Sequence, residues 1–595
     1  MSTPRRLFDC LDQLMETSPD AALLAAKEGG RWRTYTVREV NEVVNRLAAG
    51  LLALGIGGHD LSVEGSDKVA ILAKNRPEWV FLDLAVQKAG AVLVPVYPTV
   101  GLNDLAFVLN DAQVKLVFVN DADMLAKMAS VQEQCPTVRA IYSFEPLSGA
   151  LHWRALLDGG RPGHAQQLQE VNSRINTEDL LTIIYTSGTT GTPKGVMLSH
   201  HNVLSNVMAT LPLLPVGKGS KVLSFLPLNH IFERMVTYIY LYAGVTIYYA
   251  ESLDTLGDNL KEVKPEMFTT VPRLLEKVYE KILAKANDLT GIKKKLFFWA
   301  LRLGERYDVQ KPGSFGYRLQ LKLANKLIFS KWREGLGNNL KCIVTGAAAC
   351  PARLIRIFTA GGIPIMEGYG QTESSPVISV NRIEPENRRF GTVGPVIAGV
   401  EVKIAEDGEV LCKGPNVMMG YYKRPDLTED TVKDGWLYTG DIGVLEDGKF
   451  LKITDRKKEI FKTSGGKFVA PLPIETKMVE SPYIEQIMVV GDGEKFTGAL
   501  VVPNFARLQQ WCGEAGIDPS DRPALCRNPR VQAFVQQQVD AYNAFFNPVE
   551  QVKRIALLPT EWSVDGGEMT PKLSLKRKAI MEKYKDAVQG IYRES

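Results

Sequence analysis

The sequence predicts an α/β protein in which a large N-terminal domain of layered sheets and helices is followed by a small C-terminal α+β domain. At 595 residues the chain is too long to fold around one core. Short β-branched runs alternate with helical patterns, which favours helices layered on largely parallel sheets. The clearest runs lie at residues 68–72, 91–95, 114–119, 181–185, 221–226 and 342–345.

The pattern changes after about residue 395. Short strands at 400–404, 409–413 and 450–453 are separated by Asp-Gly pairs, which are typical of tight hairpins. Near the end of the chain, apolar residues recur on one face of a predicted helix, namely Leu575, Ile580, Tyr584, Val588 and Ile591. We place the domain boundary at residues 455–458, so the predicted domains are 1–454 and 455–595.

Composition excludes several classes of protein. The formal charge of +4 is small for this length and gives no basis for a nucleic-acid partner. Seven cysteines without a CxxC pair and six histidines give no zinc pattern, and unpaired cysteines suit a reducing compartment. Segment 235–250 is apolar but short, and we expect a buried helix running into a strand rather than a membrane span. We see no signal peptide and expect a cytoplasmic location.

Residues 185–195 read YTSGTTGTPKG and follow an apolar strand. Three glycines let backbone N–H groups turn towards an anion, five Ser/Thr hydroxyls add donors, and Lys194 adds a positive charge. The Walker pattern GxxxxGK[ST] is absent. We therefore predict a polyphosphate-binding loop of a different kind, formed by Thr186, Ser187, Gly188, Thr189, Thr190, Gly191 and Lys194.

This loop resembles the nucleotide-phosphate loop of the adenylate-forming (AMP-binding) superfamily, and the resemblance extends over almost the whole chain. The other blocks occur in the family's order. They are VYPT at 96–99, LPLNHIFER at 226–234, VTGAAA at 344–349, GYGQTE at 368–373, YTGD at 438–441, DRKK at 455–458 and SGGKFVAP at 464–471. The LPLNHIFER block and the added helical segment 291–340 are similar to those of long-chain fatty acyl-CoA synthetases.

The resemblance implies a role for each block. Gly346, Ala347 and Ala348 would lie against adenine, together with Gly368 and the stacked ring of Tyr369. Thr372 would touch the α-phosphate and Glu373 would hold Mg²⁺, a role that suits a hard carboxylate oxygen. Asp441 and Arg456 would bind the ribose.

Further roles concern the acyl group and coenzyme A. His230 would stand beside the acyl pocket, and Gly466 and Lys467 would face the pantetheine tunnel. Lys458 would be the pivot on which the small domain swings.

One block departs from the family pattern. Residues 569–578 read MTPKLSLKRK, and the slot of the family's catalytic lysine falls on Ser574. Lys572 and Lys576 are the neighbouring alternatives, and we favour Lys572. A structural interpretation is also available, in which Thr570-Pro571 begins a helix or Ser574 caps one. The catalytic candidates are thus Lys194, His230, Glu373 and Lys572.

Together these implications predict an ATP-dependent ligase that joins a long-chain fatty acid to coenzyme A through an acyl-adenylate, with Mg²⁺. There are two alternatives. The enzyme could transfer the acyl group to a carrier protein instead of coenzyme A, or the chain could be a catalytically weakened homologue that binds a nucleotide or an acyl group. We leave the oligomeric state open. One helical face, Ile292, Leu296, Trp299, Leu303 and Tyr307, lies beside three lysines and is either a peripheral membrane contact or a face packed on its own domain.

Overall fold

The computed structural model describes residues 4–158, 162–187, 192–311, 313–564, 566–570 and 574–593. Its first region, up to residue 399, holds two large sheets. Their strands are Ala22–Glu28 (β1), Arg31–Thr36 (β2), Lys68–Leu72 (β3), Val92–Pro95 (β4), Val114–Val119 (β5), Ala140–Ser143 (β6), Leu151–His152 (β7), Leu180–Ser187 (β8), Pro193–Ser199 (β9), Lys221–Ser224 (β10), Thr246–Tyr249 (β11), Met267–Thr270 (β12), Cys342–Thr345 (β13), Ile365–Gly370 (β14) and Val377–Val380 (β15). The short strand Gly394–Pro395 (β16) follows them and belongs to the antiparallel sheet of the next region.

One sheet has the order β15-β14-β13-β12-β10-β11-β1-β2, and the other contains β9-β8-β4-β3-β5-β6-β7. The inner pairs are parallel, whereas the pairs β1/β2, β8/β9 and β14/β15 are antiparallel. This arrangement confirms the predicted α/β class. The six β-branched runs are strands here, with ends that shift by two residues at most.

Helices cover both sheets. They are Asp9–Thr17 (α1), Val37–Ala53 (α2), Pro77–Lys88 (α3), Leu102–Asp111 (α4), Ala122–Ala129 (α5), Ala155–Asp158 (α6), Pro162–Arg174 (α7), His200–Thr210 (α8), Ile231–Ala243 (α9), Leu256–Val263 (α10), Pro272–Asn287 (α11), Gly291–Glu305 (α12), Phe315–Ala324 (α13), Ser330–Gly335 (α14) and Ala352–Ala360 (α15). A π-helical segment, Asn325–Phe329, joins α13 to α14. Helix α9 is buried along most of its length and runs into β11, as the sequence of 235–250 predicts.

The region from 400 to 456 is antiparallel. Its elements are Glu401–Ile404 (β17), Glu409–Lys413 (β18), Gly420–Tyr421 (β19), Pro425–Thr431 (α16), Val432–Lys433 (β20), Trp436–Glu446 (β21) and Phe450–Arg456 (β22). Asp447 and Gly448 both have positive φ, 51° and 64°, as the turn between β21 and β22 requires. The predicted hairpins are therefore confirmed. Strand β19 adds to the edge of the second large sheet by pairing with β9.

The last region has a hydrophobic core of its own, formed by residues between Val469 and Ile591. Its elements are Phe461–Lys462 (β23), Phe468–Val469 (β24), Pro471–Met478 (α17), Ile484–Val490 (β25), Gly498–Pro503 (β26), Phe505–Ala515 (α18), Arg522–Arg527 (α19), Pro529–Asn543 (α20), Arg554–Leu557 (β27), Arg577–Lys583 (α21) and Lys585–Tyr592 (α22). The exact domain boundary at 454/455 stays a prediction.

One local expectation is wrong. The last helical segment begins at Arg577 with Lys576 as its N-cap residue, so Ser574 does not cap it. Instead, Met569 forms an antiparallel bridge with Leu575, and the Thr570 N–H donates a 2.9 Å hydrogen bond to the Ser574 carbonyl. The expected helix start at Thr570-Pro571 lies partly outside the described residues. The predicted apolar stripe still packs inwards, because Ile580, Val588 and Ile591 are buried.

The face predicted on α12 is mostly packed. Leu303 is buried and Trp299 packs against the core of its own region, so the packed alternative is correct for this helix, apart from the exposed Ile292. Among the described residues, no helix is both long and apolar enough to cross a bilayer.

Candidate active site

A single cavity of about 2180 Å³ runs between the large N-terminal region and the C-terminal region. It is lined by residues of β8, β9, α9, β13, β14, β21, β22 and the start of α21. Pockets for drug-sized ligands are commonly about 300–1,000 Å³. This cavity therefore has room for a nucleotide together with a second, elongated substrate.

One end of the cavity carries a cluster of Lys194, Tyr421 and Glu373. Across the β8/β9 hairpin, Lys194 is the register partner of Thr186, and its ammonium lies 5.2 Å from the centroid of the Tyr421 ring. The Tyr421 hydroxyl donates a 2.9 Å hydrogen bond to Glu373 Oε1. Tyr421 thus faces the Lys194 ammonium with its ring and binds the Glu373 carboxylate with its hydroxyl.

The electrostatics of this cluster suit a polyanion. Partial burial lowers the pKa of Lys194, and the nearby charge of Lys458 lowers it further, while Glu373 acts in the opposite direction. Two neighbouring lysine charges repel each other, and a phosphate chain between or beside them would stabilise both positive charges. Lys458 belongs to the segment predicted as the hinge, and it lines the same cavity.

A second polar cluster is centred on Asp441 of β21. Its Oδ2 accepts hydrogen bonds from the Tyr369 hydroxyl at 2.6 Å and from Gln371 Nε2 at 2.7 Å. On the other side, Arg456 Nε lies 3.5 Å from Oδ1, because β21 and β22 pair Asp441 with Arg456. Burial raises the pKa of Asp441, whereas Arg456 lowers it. The carboxylate is oriented by three groups on two sides.

The Tyr369 ring is itself held in place. Burial, together with the carboxylate of Asp441, raises the pKa of the Tyr369 phenol well above its usual value, so this group stays a hydrogen-bond donor. Gly346 and Ala347 follow strand β13 and line the same part of the cavity, and Ala347 adopts a positive φ of 68°. A flat aromatic ring beside a turn of small residues leaves room for a planar base.

The apolar end of the cavity is formed by α9. One face of this helix lines it, through Phe232, Met235, Val236 and Ile239. His230 caps the helix, because its Nδ1 accepts a 3.0 Å hydrogen bond from the Phe232 N–H. A neutral imidazole that accepts at Nδ1 carries its proton on Nε2, and this places a donor beside an apolar channel.

The opposite face of α9 anchors the helix between the sheets. Arg234 is buried and pairs with Asp83 of α3 at 2.5 Å, and its Nη1 donates to Thr182 of β8 at 2.7 Å. Glu233 is also buried, accepts from Ser224, and has its pKa raised to about 7 by burial. Contacts on the opposite side of α9 thus fix which of its side chains line the cavity.

The structure brings most of the predicted site residues to this cavity. Those that line it are Thr186, Lys194, His230, Gly346, Ala347, Gly368, Tyr369, Thr372, Glu373, Asp441 and Arg456. Ala348 is exposed and does not line it, nor do Gly466 and Lys467, which lie in the turn between β23 and β24. Gly188, Thr189, Thr190, Gly191, Lys572 and the side chain of Ser187 lie outside the described residues.

Sequence reasoning missed two residues that organise the site, Tyr421 and Gln371. Gln371 stands inside the quoted GYGQTE block, so the signal was present and no role was assigned to it. Tyr421 stands in a short GYYK segment at 420–423, with no local feature that distinguishes it. Its role depends on the pairing of β19 with β9.

The residues present fit Mg²⁺ bound together with a nucleotide. Among the described residues there is no group of three or more His, Cys, Asp or Glu side chains that could hold a metal ion by themselves. Mg²⁺ is commonly bound through one or two carboxylates, with phosphate oxygens and water completing its shell. Glu373, beside the lysines that suit a phosphate chain, matches that donor set.

Two family models match this chain. The model described as AMP-binding enzyme covers residues 11–422, and the model described as AMP-binding enzyme C-terminal domain covers residues 458–595. The chain therefore belongs to the AMP-binding enzyme family, as the sequence motifs predict.

Curated relatives and solved structures agree with this placement. Long-chain-fatty-acid–CoA ligase FadD15 of Mycobacterium bovis is 31% identical over 583 residues, which cover 96% of this chain and 95% of that protein. Long-chain-fatty-acid–CoA ligase 6 of Mus musculus is 32% identical, over 94% and 82% of the two chains. The crystal structure of the anthranilate CoA ligase AuaEII with anthranoyl-AMP has the same fold, with a TM-score of 0.74 at 17% identity over 99% of both chains.

Proposed function

We propose that this protein is an ATP-dependent ligase that activates a long-chain fatty acid as acyl-AMP and transfers the acyl group to coenzyme A. One observation carries the proposal. The same cavity joins the cationic cluster of Lys194 and Lys458, the polar cluster at Asp441, and the apolar face of α9. The relatives named above are long-chain-fatty-acid–CoA ligases that match this chain over most of its length.

In the first step a carboxylate oxygen of the fatty acid attacks the α-phosphorus of ATP. A new P–O bond forms, the bond to the bridging oxygen breaks, and pyrophosphate leaves. No protein nucleophile is needed, so the work of the protein is to position the substrates and to stabilise charge on the five-coordinate phosphorus. In this proposal Thr186, Thr372 and Lys194 contact the phosphates, with the loop residues 187–191.

Glu373 would hold the Mg²⁺ ion, and the ion would supply charge neutralisation on the phosphate oxygens. Asp441 and Arg456 bind the ribose, and Tyr369 stacks on adenine beside Gly346, Ala347 and Ala348. The shared cavity and the fixed orientation of the Asp441 carboxylate support these assignments, except that of Ala348, which does not line the cavity and rests on the family resemblance alone.

In the second step the sulfur of coenzyme A attacks the acyl carbonyl and the thiol proton passes to solvent. A C–S bond forms, the bond from the acyl carbon to the phosphate oxygen breaks, and AMP leaves with its electrons. We propose that the C-terminal region pivots at Lys458 between the steps, so that the turn carrying Gly466 and Lys467 reaches the pantetheine arm. This assignment requires a second conformation, since the turn is away from the cavity lining here. In this proposal His230, which lines the cavity beside the apolar face of α9, contacts the reacting carboxylate.

We also propose Lys572 as the source of the positive charge that the family's catalytic lysine supplies in the first step. The support is its position two residues before Ser574, in a segment whose neighbours Thr570 and Ser574 line the cavity. Lys576 is the alternative, because it is exposed and lines the same cavity.

Because long-chain fatty acids partition into membranes, we propose that the enzyme works in the cytoplasm with a peripheral contact to the bilayer. The function is tested with a series of straight-chain acids from acetate to arachidate, with AMP release measured with and without coenzyme A. We expect release that depends on long-chain acids and on coenzyme A. Adenylation that does not use coenzyme A, followed by loading of a carrier protein, would show that the acyl acceptor is a carrier protein and not coenzyme A.

A further inference from the structure

The helix formed by α13, the π-helical segment and α14 exposes a continuous apolar stripe. Its members recur every four residues, at Phe315, Leu319, Leu323 and Leu327, and their exposed fractions are 77%, 61%, 49% and 42%. In a helix, residues four apart are neighbours on one face. The stripe is therefore about 18 Å long, at a rise of about 1.5 Å per residue.

The stripe lies on an outer layer of the protein. The opposite face of the same helix packs inwards through Ala324, Phe329 and Trp332, which belong to the core between these helices and the first sheet. On β12 the side chains alternate, so that Phe268 joins this core whereas Met267 and Thr269 line the cavity. The stripe is thus separated from the cavity by a sheet and a packed core, and it is no part of the candidate active site.

Basic side chains accompany the stripe. Arg318, Lys322 and Lys326 each precede one of its leucines and are exposed. Between residues 309 and 333 there is no acidic residue, while Lys and Arg occur at 311, 318, 322, 326, 331 and 333. One helix face therefore combines exposed apolar side chains with a row of positive charges.

We infer that this face of residues 315–327 is a docking surface for an anionic lipid bilayer. Amphipathic helices bind at such an interface by inserting their apolar face while Lys and Arg contact anionic headgroups. The charge pattern favours this occupant, because a second copy of the chain would bring an equally basic helix against it. The inference names the surface for the membrane contact in the proposed function and rests on that function.

The test is flotation of the full-length protein with vesicles of phosphatidylcholine alone, or with about one third phosphatidylglycerol. We expect the protein to float with the anionic vesicles, and less so at high salt. Leu319→Glu with Leu323→Glu should reduce the bound fraction by about 10-fold or more, since charges are expelled from the apolar layer. Lys322→Gln with Lys326→Gln should reduce it by about 10-fold at low salt, because each basic residue near the surface contributes separately.

Matched controls lie elsewhere on the surface. Leu253→Glu changes another exposed leucine, and Lys281→Gln with Lys285→Gln removes two exposed lysines at the same spacing on α11. These variants should float like the unchanged protein. Thermal unfolding checks that each variant is folded, and fatty-acid-dependent ATP–pyrophosphate exchange in detergent, without vesicles, tests the proposed function separately.

Three outcomes would overturn the inference. The unchanged protein does not float with anionic vesicles, or the stripe variants float as it does, or the control variants lose binding equally. A change of mass in light scattering on Leu319→Glu with Leu323→Glu, without any vesicle binding by the unchanged protein, would assign the stripe to contact between copies of the chain.

Discussion

The phenol oxygen of Tyr369 lies 2.6 Å from Oδ2 of Asp441, a residue 72 positions further along the chain. The same carboxylate accepts from Gln371 and faces Arg456. Its two oxygens are thus oriented before any ligand binds, and pre-organisation of this kind reduces the ordering that binding requires.

We expect Asp441→Asn to raise the KM for ATP by about 10- to 100-fold with a smaller effect on kcat, because a ground-state contact is lost. Tyr369→Phe is the matched change, since it keeps the ring and removes the hydroxyl that donates to Asp441, and its effect should be smaller. ATP–pyrophosphate exchange at varied ATP measures both. An unchanged KM in Asp441→Asn would remove this residue from the nucleotide site.

Glu373→Gln should slow adenylation by about 10² to 10³, because a charged contact to the metal and phosphates is lost. Tyr421→Phe serves as a control, since it leaves the ring beside Lys194 and removes only the hydroxyl that donates to Glu373. Its loss should be a few-fold at most. Pyrophosphate exchange close to that of the unchanged enzyme in Glu373→Gln, at saturating Mg²⁺, would contradict the metal assignment.

Loss of the adenylation lysine should slow the first half-reaction, acyl-adenylate formation, and leave the second, thioester formation, unchanged, a split between the two half-reactions. Positive charge near the α-phosphate matters while charge builds up in the first step, so Lys572→Ala should slow acyl-adenylate formation by about 10² to 10⁴. Capture of supplied acyl-adenylate by coenzyme A should be normal. Single-turnover measurements of each half-reaction detect the split.

Lys576→Ala separates the alternatives for the same charge. If Lys572 supplies the charge, Lys576→Ala should leave the adenylation rate nearly unchanged, although Lys576 lines the cavity and precedes α21. A split that occurs in Lys576→Ala instead would move the assignment to that residue, and full adenylation in both variants would exclude them both. A sharp gain in Ser574→Lys would show that the natural enzyme is a weakened member of its family.

Stability should depend on pH through Glu367, a buried residue of β14 whose Oε1 accepts from the Cys350 N–H. Burial raises the pKa of this carboxyl from its ordinary 4.5 to about 8. The folded state therefore keeps a proton that the unfolded state releases between pH 4.5 and 8. The stability that this proton contributes is complete below pH 4.5 and is lost as the pH rises to 8.

Glu367→Gln should remove this dependence while keeping an acceptor for Cys350. The difference in free energy of unfolding between the variant and the unchanged protein should move in the variant's favour by up to about 1.4 kcal/mol per pH unit across that window. Denaturant unfolding at several pH values measures it. A difference that stays constant from pH 4.5 to 8 would show that the carboxyl titrates normally.

Local patterns predicted the elements of this fold well. Strands such as β3 and β13 begin and end where their β-branched runs do, and the turn at Asp447-Gly448 has the two positive φ values that its residues favour. The helical stripe at the end of the chain was predicted correctly in its burial and wrongly in its start. Caps depend on a few hydrogen bonds, and the Ser574 carbonyl instead accepts one from the Thr570 N–H.

The sequence by itself determined the family, the nucleotide motifs and the alternation of strands and helices, since each is written in neighbouring residues. Only the tertiary structure decided that Tyr421 joins Lys194 to Glu373, because that contact depends on β19 pairing with the edge of β9. Only the tertiary structure decided that the apolar face of α12 is mostly packed and that of α13 exposed. Amphipathic spacing shows that a helix has an apolar face, but what covers that face depends on the packing of segments far apart in the chain.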